Sequence, residues 1–370
     1  MTFACWISFA VSLFTCGLIV LTQPWHIRFS ADSTLGVQKF HTQITPRVGG
    51  IGIMVGLIFG WIFAPANISE ILGPMLIASS PVFGFGLLED IRKDVGVVVR
   101  LIATMCGGLL AWYLTGVAMQ NTGVYLLDRA LQWLPLAVLF TAFAVGGVAN
   151  AVNIIDGFNG LASGAVAIMV GAMGLIALEV GDPSLAGVCA VVAACAVGFG
   201  MVNWPMGRIF LGDGGAYLLG FCVAWLAVLL PMRHAELNAW TTIMVCAYPV
   251  LEVGFSVRRR KRAGCSPGSP DRAHLHHMVY GRLVRHALPG VNKVFQNSMT
   301  SPWCWVATLL PALWAIVFAR NTTMLQVGFA MAVFSYAAVY ARLTQFRWCF
   351  SALTLRPKPP SAVAFQGGKR

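Results

Sequence analysis

The chain has 370 residues, of which 58% are hydrophobic and only 10% charged, and its mean hydropathy is +0.76. A soluble domain carries about 25% charged residues, so this composition excludes a soluble globular protein and predicts a polytopic membrane protein. The net charge of +12 indicates no nucleic-acid partner, because topology and attraction to anionic membrane lipids account for it.

The apolar segments predict an all-α fold. A transmembrane helix needs about 20 apolar residues, and eleven such segments fill most of the chain. We expect spans at 4–23, 48–64, 71–88, 95–116, 131–147, 161–178, 184–203, 214–231, 239–256, 303–319 and 324–341. The first span lacks a basic leader and a clear cleavage site, which favours a retained helix over a signal peptide.

The basic residues predict the orientation. With the N-terminus periplasmic and the C-terminus cytoplasmic, all but three of the 25 lysines and arginines lie in cytoplasmic segments. The exceptions are Arg129, Arg233 and Arg320. This asymmetry follows the positive-inside rule and predicts a multi-pass protein of the bacterial inner membrane.

We expect one transmembrane domain over residues 1–342, which includes a cytoplasmic loop at 257–302. Residues 343–370 are basic and contain Pro and Gly, a composition typical of a disordered tail. The ten cysteines are scattered and form no CxxC pair, so we predict packing roles and neither a disulfide framework nor a metal site for them.

Arg47 is the first candidate site residue. It follows Pro46 and precedes Gly49 and Gly50, where the second span begins. Glycines allow a helix to approach a neighbour or a ligand closely. Arg47 is equally well explained as a phosphate-binding residue or as a positive-inside anchor.

The next cytoplasmic segment carries the carboxylates of Glu89, Asp90 and Asp94. If the helix continues, Glu89 pairs with Lys93 at i,i+4, and Asp90 shares a face with Asp94. A connector stabilised by salt bridges is the alternative interpretation.

The most unusual pattern is a polar run between two apolar segments. Asn150, Asn153, Asp156 and Asn159 recur every three residues, so on a helix they would form a continuous ridge. Polar groups at a membrane boundary are costly without partners, which makes the ridge a functional candidate. The alternative is an Asn- and Gly-rich turn between helices.

Asp213 lies at the start of the span at 214–231, between Gly212 and Gly214. An aspartate there is explained by helix N-capping. The flanking glycines also leave room for a ligand to reach the carboxylate, as a phosphate-bound cation would require.

The longest cytoplasmic loop contains His274, His276 and His277 within four positions. A transition-metal site would need a fourth ligand, for which Asp271 and Cys265 are nearby in sequence. The second interpretation is an anion-binding group formed by the histidines with Arg272. We favour the second, because the carboxylates are predicted on the same side of the membrane.

These polar motifs resemble the polyprenyl-phosphate N-acetylhexosamine-1-phosphate transferases, a glycosyltransferase family 4 group, and in particular the bacterial branch that initiates O-antigen and related surface glycans. Five motifs carry the resemblance in the family's order, between about Trp6 and Tyr340. They are His41–Ile51, Gly86–Asp94, Asn150–Gly164, Arg208–Gly220 and Ser269–His277.

The resemblance implies that undecaprenyl phosphate attacks a UDP-N-acetylhexosamine at the cytoplasmic face, releasing UMP and starting a lipid-linked surface polysaccharide. It also implies Mg²⁺, or alternatively Mn²⁺, as cofactor. The implied roles are as follows: catalytic, Glu89, Asp90 and Asp156; metal-binding, Asp213 and Asp90; substrate-binding, Arg47, Asn150, Asn153, Asn159, Arg272, His274, His276 and His277. For Asp90 we favour positioning and metal binding over proton removal, because a phosphate monoester with a second pKa near ~6 is mostly ionised at neutral pH. A homodimer is compatible with the sequence.

Two positions depart from the family pattern. The family usually has two adjacent aspartates where this chain has Glu89 and Asp90, and often an acid where it has Asn159. A catalytically degenerate scaffold of the same family is therefore one alternative function. A transporter or channel is another, and it predicts polar groups at mid-membrane depth. The sequence does not identify the sugar.

Overall fold

A computed structural model describes residues 2–32, 45–264 and 273–345. The first half of this part folds into α1 (Thr2–Leu21), α2 (Gln23–Ser30), α3 (Gly49–Ile62), α4 (Ala66–Arg92), α5 (Val97–Thr115), α6 (Tyr125–Ala130), α7 (Leu134–Ile155) and α8 (Leu161–Glu179). The second half folds into α9 (Pro183–Asn203), α10 (Gly212–Arg233), α11 (Ala239–Val245), α12 (Ala247–Arg262), α13 (Leu275–Val279), α14 (Arg285–Ala287), α15 (Lys293–Ser298), α16 (Ser301–Val317) and α17 (Thr322–Thr344). A π-helical turn, Tyr280–Val284, joins α13 to α14.

The only extended pairing in these ranges is a short antiparallel pair of β1 (Ala31–Asp32) and β2 (Thr45–Pro46). The fold is therefore all-α, as composition predicted. The tail beyond residue 345 lies outside the described residues, as do Cys265, Asp271 and Arg272.

Nine helices within the described ranges are long and apolar enough to cross a membrane, and a bent helix pair provides a tenth candidate. The chain is thus a polytopic membrane protein. The eleven predicted segments all contain helix, but two differ from a simple span. The orientation of the termini stays a prediction from the basic residues.

The first difference is α3, whose 14 residues reach about 21 Å at 1.5 Å per residue, short of the ~30 Å hydrocarbon core. The predicted span at 48–64 is therefore too long. Backbone hydrogen bonds to Phe210 fix the chain around its start: the N–H of Phe210 donates to the carbonyl of Pro46 (2.8 Å), and the N–H of Gly49 donates to the carbonyl of Phe210 (2.9 Å). The second difference is the predicted span at 239–256, which is broken at Cys246 into α11 and α12, with an angle of 81° between them.

Helix α10 forms the centre of the bundle. Every residue from Gly212 to Pro231 is buried, and the helix packs against α3, α4, α7 and α8. A helix that is apolar on all sides can be buried in this way. The candidate residues at its N-terminus consequently start from the most enclosed element of the fold.

Glycines let α4 approach the start of α10 at backbone distance. A Cβ atom on Gly86 would lie 2.6 Å from the Cα of Gly214 and 2.8 Å from its N. The neighbouring Gly84, on the same helix, has no atom within 4 Å of its Cβ position. The close approach therefore depends on Gly86 and not on glycine content in general.

We expect Gly86→Ala to lower the melting temperature of the detergent-purified protein, because overpacking costs about 1–3 kcal/mol and each kcal/mol is worth roughly 2–4 °C in a chain of this size. Gly84→Ala is the matched control and should leave the melting temperature unchanged or slightly raised, since Ala favours helix. Equal melting temperatures for the two variants would contradict the close packing of α4 on α10.

Candidate active site

The site begins where the carboxylate of Asp90 meets the N-terminus of α10. The N–H of Asp213 donates to Oδ1 of Asp90 (2.7 Å), and the N–H of Gly214 donates to Oδ2 (2.8 Å). The Asp90 side chain is only 1% exposed. An acid at this position satisfies unpaired helix N–H groups and interacts favourably with the helix dipole. Asp90, from α4, thus caps α10 across the bundle.

Gly212 makes this cap sterically feasible. Its φ is +74°, in the left-handed region, and a Cβ there would lie 2.8 Å from Cγ of Asp90. A larger residue would meet both backbone strain and the carboxylate. The glycine before Asp213 therefore makes room for Asp90, a protein group, whereas the sequence suggested room for a ligand.

Two arginines surround the carboxylate of Asp213. Arg47 forms an ion pair with its Oδ1 and Arg100 with its Oδ2. Arg47 also reaches Oδ1 of Asp90 through Nε, at 3.3 Å. The guanidinium of Arg100 lies 5.7 Å from the centroid of the Tyr217 ring, within cation–π range. The structure thus brings together three predicted site residues and adds Arg100.

Arg47 is held in place by its backbone. Its N–H donates to the carbonyl of Ser30 (2.7 Å), and Gly50 N–H donates to the carbonyl of Leu211 (3.0 Å). The segment that carries Arg47 is therefore pinned on both sides, next to the loop that precedes Asp213. This geometry favours a site role for Arg47 over a simple charge at a helix end.

Asp156 follows the last residue of α7, and its carboxyl group is poorly solvated. Loss of solvation raises its pKa from 3.8 to about 7, although the nearby charge of Arg47 opposes the shift. The carboxylates of Asp156 and Asp90 also repel each other. A raised carboxyl pKa beside a second carboxylate is typical of functional sites.

The predicted polar ridge is wrong in one respect: it is not one continuous helix face. Helix α7 ends at Ile155, and Asp156 is its C-cap with ψ of 59°. Asn150 and Asn153 remain on the helix, and the hydroxyl of Tyr217 donates to Oδ1 of Asn150 (3.1 Å). The three-residue spacing of the polar side chains continues to Asn159, but the helix does not, because the chain turns at Gly157.

Asn159 faces a different part of the protein. Its N–H donates to Oδ1 of Asn297 (2.9 Å), its side-chain amide donates to Oγ of Ser298 (3.2 Å), and its carbonyl accepts from Ser301 Oγ (2.5 Å). Asn159 is 7% exposed. These contacts attach the α7–α8 turn to α15 and α16 and favour a structural role, whereas the sequence predicted substrate binding.

Glu89 closes the connection after α4. The helix ends at Arg92, and Lys93 adopts a left-handed conformation. Oε2 of Glu89 accepts the N–H of Val95 (2.7 Å). The helix therefore does not continue, and the predicted face shared by Asp90 and Asp94 does not form; Asp94 is exposed beyond the turn.

The histidines gather against the turn that follows Asp156. The rings of His276 and His277 lie 4.5 Å apart, and each is 5.7 Å from Phe158. A Cβ on Gly157 would lie 3.0 Å from Nε2 of His276. Burial lowers the pKa of His276 well below its usual value, and the neighbouring His277 and His274 add to the shift. His276 is therefore neutral at physiological pH.

Among the described residues, no three His, Cys, Asp or Glu side chains are grouped so that they could hold a metal ion. The transition-metal interpretation of the histidines therefore gains no support within these ranges. Its suggested further ligands, Asp271 and Cys265, lie outside them, and so does the predicted anion-binding Arg272.

Comparison with known proteins identifies the family of the chain. The model of glycosyl transferase family 4 matches residues 72–231, which include Asp90, Asp156 and Asp213. An undecaprenyl-phosphate alpha-N-acetylglucosaminyl 1-phosphate transferase of Salmonella typhi is 30% identical over 275 residues, covering 73% of this chain and 74% of that protein. The chain belongs to glycosyl transferase family 4.

Other family 4 relatives extend the match. The Yersinia pestis protein of the same name is 28% identical over 274 residues, covering 73% of this chain and 74% of the relative. A probable undecaprenyl-phosphate N-acetylglucosaminyl 1-phosphate transferase of Bacillus subtilis strain 168 is 28% identical over 288 residues, covering 76% of this chain and 79% of the relative.

Sequence reasoning missed three residues that contact the candidate site. Arg100 pairs with Asp213, Tyr217 lies beside the guanidinium of Arg100, and the Glu252 carboxylate lies 2.9 Å from Nδ1 of His274. Arg100 was counted only as a positive-inside charge, Tyr217 as part of an apolar span, and Glu252 was not considered. One signal was available for Glu252, because a carboxylate inside a predicted span needs a partner. No local pattern distinguishes Arg100 from the other cytoplasmic arginines, since its partner Asp213 is far away in sequence.

The raised pKa of Asp156 predicts a pH-dependent stability. The unfolded carboxyl group ionises near its ordinary pKa of 3.8, whereas the folded one ionises near 7, so the folded protein loses stability as the pH rises through this window. Without divalent cations, Asp156→Asn should melt at a higher temperature than the wild type at about pH 8, and the difference should vanish towards pH 4. Asp94→Asn, at an exposed carboxylate, is the control. A D156N melting curve that matches the wild type at both pH values would contradict the poor solvation of the Asp156 carboxylate.

Proposed function

We propose that this chain transfers N-acetylhexosamine 1-phosphate from a UDP-sugar to undecaprenyl phosphate and releases UMP. The observation that carries the proposal is the convergence of Arg47, Asp90, Arg100 and Asp213 at one end of the bundle, in a chain whose family 4 relatives bear the name of that reaction. The positive-inside charge pattern supports a location of this end at the cytoplasmic face of the bacterial inner membrane.

The donor set suits a divalent cation bound together with phosphates. Asp90, Asp156 and Asp213 bring three carboxylates to a region where Arg47 and Arg100 supply two positive charges. Mg²⁺ prefers oxygen ligands and is commonly held by one or two carboxylates, with water and substrate phosphates completing its shell.

We assign Asp213 and Asp156 as the carboxylates that would hold the cation. Both oxygens of Asp90 already accept N–H groups of α10. We therefore assign Asp90 to fixing the position of Asp213, in place of the metal-binding role that the sequence predicted for it. When bound, such a cation would neutralise the charge of the substrate phosphates and of the departing UMP. Mn²⁺ has the same ligand preference and would serve as a substitute.

The remaining residues position the two substrates. Arg47 and Arg100 exchange part of their contact with Asp213 for the phosphate oxygens, since guanidinium groups bind phosphate in a bidentate manner. Asn150 and Asn153, on the last turns of α7, line the nucleotide side, and the histidines next to Phe158 face the diphosphate. Because the lipid phosphate is mostly ionised at neutral pH, its attack on the sugar-linked phosphorus needs alignment more than a general base.

The competing functions predict different behaviour. A transporter would bind its solute near mid-membrane, whereas the acidic and basic groups here meet at helix ends. A degenerate scaffold of the family would keep this geometry without turnover.

The proposed pathway is the synthesis of a lipid-linked O-antigen or related surface glycan. A screen of UDP-N-acetylhexosamines with the purified protein would identify the sugar.

The defining experiment measures UMP release from UDP-N-acetylglucosamine or UDP-N-acetylgalactosamine with undecaprenyl phosphate and Mg²⁺. Asp213→Asn should lower kcat/KM by about 100-fold or more, as expected for a group that organises transition-state charge. Glu236→Gln, which neutralises an exposed carboxylate beyond the other end of α10, should leave the rate unchanged. Full activity of D213N would refute the assigned role, and no release of UMP from any UDP-N-acetylhexosamine would favour the scaffold.

Arg100 provides a test that sequence reasoning would not have chosen. Arg100→Gln removes one of the two cations beside Asp213, and we expect a loss in kcat/KM on the order of 100-fold. Arg92→Gln removes an exposed arginine from the neighbouring end of α4 and should cost less than about twofold. Similar rates for the two variants would exclude a phosphate-binding role for Arg100.

A further inference from the structure

Glu252 is a carboxylate with no exposed surface, on the segment of α12 that follows the bend. Burying a carboxylate costs several kcal/mol unless hydrogen bonds compensate for its lost hydration. The residue is neither among the acidic motifs of the sequence nor beside Asp213. The partners of Glu252 must therefore compensate for the cost of burying its charge.

The partners of Glu252 come from two other elements. Nδ1 of His274 lies 2.9 Å from Oε1, the N–H of Leu275 lies 3.2 Å from both carboxylate oxygens, and the hydroxyl of Tyr336 donates to Oε2 at 2.9 Å. The carboxylate thus joins α12, the start of α13 and α17. Of these partners, only His274 is also a candidate for substrate binding.

His274 passes this constraint to the rest of the histidine cluster. Its ring stacks on His276 with a centroid distance of 5.3 Å and an interplanar angle of 9°, and it lies 5.6 Å from the ring of His277. His276 in turn contacts Phe158 in the turn after Asp156. The orientation of His274 consequently affects the face that the cluster presents to the acidic side of the site.

The hydrogen bond also determines the protonation pattern of the ring. An imidazole whose Nδ1–H donates to a carboxylate keeps its Nε2 for a second contact, and Nε2 is a donor when both nitrogens carry a proton. A ring in that state donates Nε2–H to an anion. Carboxylate–histidine pairs orient metal-bound histidines in the same way.

We propose that Glu252 is a positioning residue for the donor substrate: it holds His274 with Nδ1–H directed at its carboxylate, so that Nε2–H donates to a phosphate of the sugar nucleotide. This assignment depends on the proposed function, because the anion is the diphosphate of that substrate. Glu252 acts through His274 and does not touch the substrate itself.

The wild-type protein permits a direct spectroscopic test. In ¹⁵N-histidine-labelled protein, with the His274 signal identified from a His274→Asn sample, we expect a protonated Nδ1 in the ligand-free state. Saturating UDP-N-acetylglucosamine should protonate Nε2 as well. An unprotonated Nδ1 in the ligand-free protein would overturn the proposal.

Glu252→Gln tests the same idea kinetically. The substitution keeps the size of the side chain and removes its charge, so KM for UDP-N-acetylglucosamine should rise at least about tenfold while kcat changes less than about threefold. Tyr336→Phe removes a neutral partner and keeps the charge; it should lower the melting temperature but change KM less than about twofold. Glu179→Gln, at an exposed carboxylate, controls for the loss of a charge elsewhere.

The outcomes separate the two proposals. Wild-type protein that releases no UMP refutes the proposed function, while the Nδ1 signal still tests the Glu252–His274 pair. Active wild type with an E252Q variant of unchanged KM overturns the role of Glu252. If E252Q fails to fold, the wild-type Nε2 signal with and without UDP-N-acetylglucosamine decides, and no change in that signal overturns the proposal.

Discussion

Two N–H groups at the start of α10 donate to the carboxylate of Asp90, which belongs to a different helix. Because this cap comes from α4, the first turn of α10 can consist of small residues, and the two helices can meet at Gly86 and Gly214. The same contact brings Arg47 within reach of both aspartates. The candidate site is thus a consequence of how the central helix begins, and Asp213 is placed by the cap.

Composition and motifs predicted much of this protein. The apolar segments indicated an all-α membrane protein, and the motif order indicated the family to which it belongs. The convergence of Asp90 and Asp213 followed from the resemblance, but the cap did not, because a capping residue was sought next to the helix in sequence. Arg100 and Glu252 escaped prediction for the same physical reason. Their partners are long-range, and no local pattern reports them.

The periodicity of polar residues gave a wrong prediction after α7, where the backbone changes direction. The spacing of Asn150, Asn153, Asp156 and Asn159 continued a helical pattern beyond the end of α7, so Asn159 was grouped with residues that it does not join. Its partners on α15 and α16 suit an uncharged amide, since its side-chain nitrogen donates to the hydroxyl of Ser298, which a carboxylate could not do. The side chain of Glu89 is longer than that of an aspartate, and its carboxylate accepts the N–H of Val95 in the connection to α5. This contact gives a structural reason for the departure from the family's aspartate pair.

The candidate site has an acidic half, at the start of α10, and a histidine half, at the start of α13. The two halves are attached to elements on either side of the bend between α11 and α12. The acidic half starts from α10, which is enclosed along its length and therefore belongs to the part of a fold that opens last in local fluctuations. The histidine half is attached through α12, beyond the bend, and through one buried carboxylate. A substrate that bridges the two halves would meet a preorganised surface at the enclosed start of α10 on one side and, on the other, a histidine cluster whose position depends on the single buried carboxylate of Glu252.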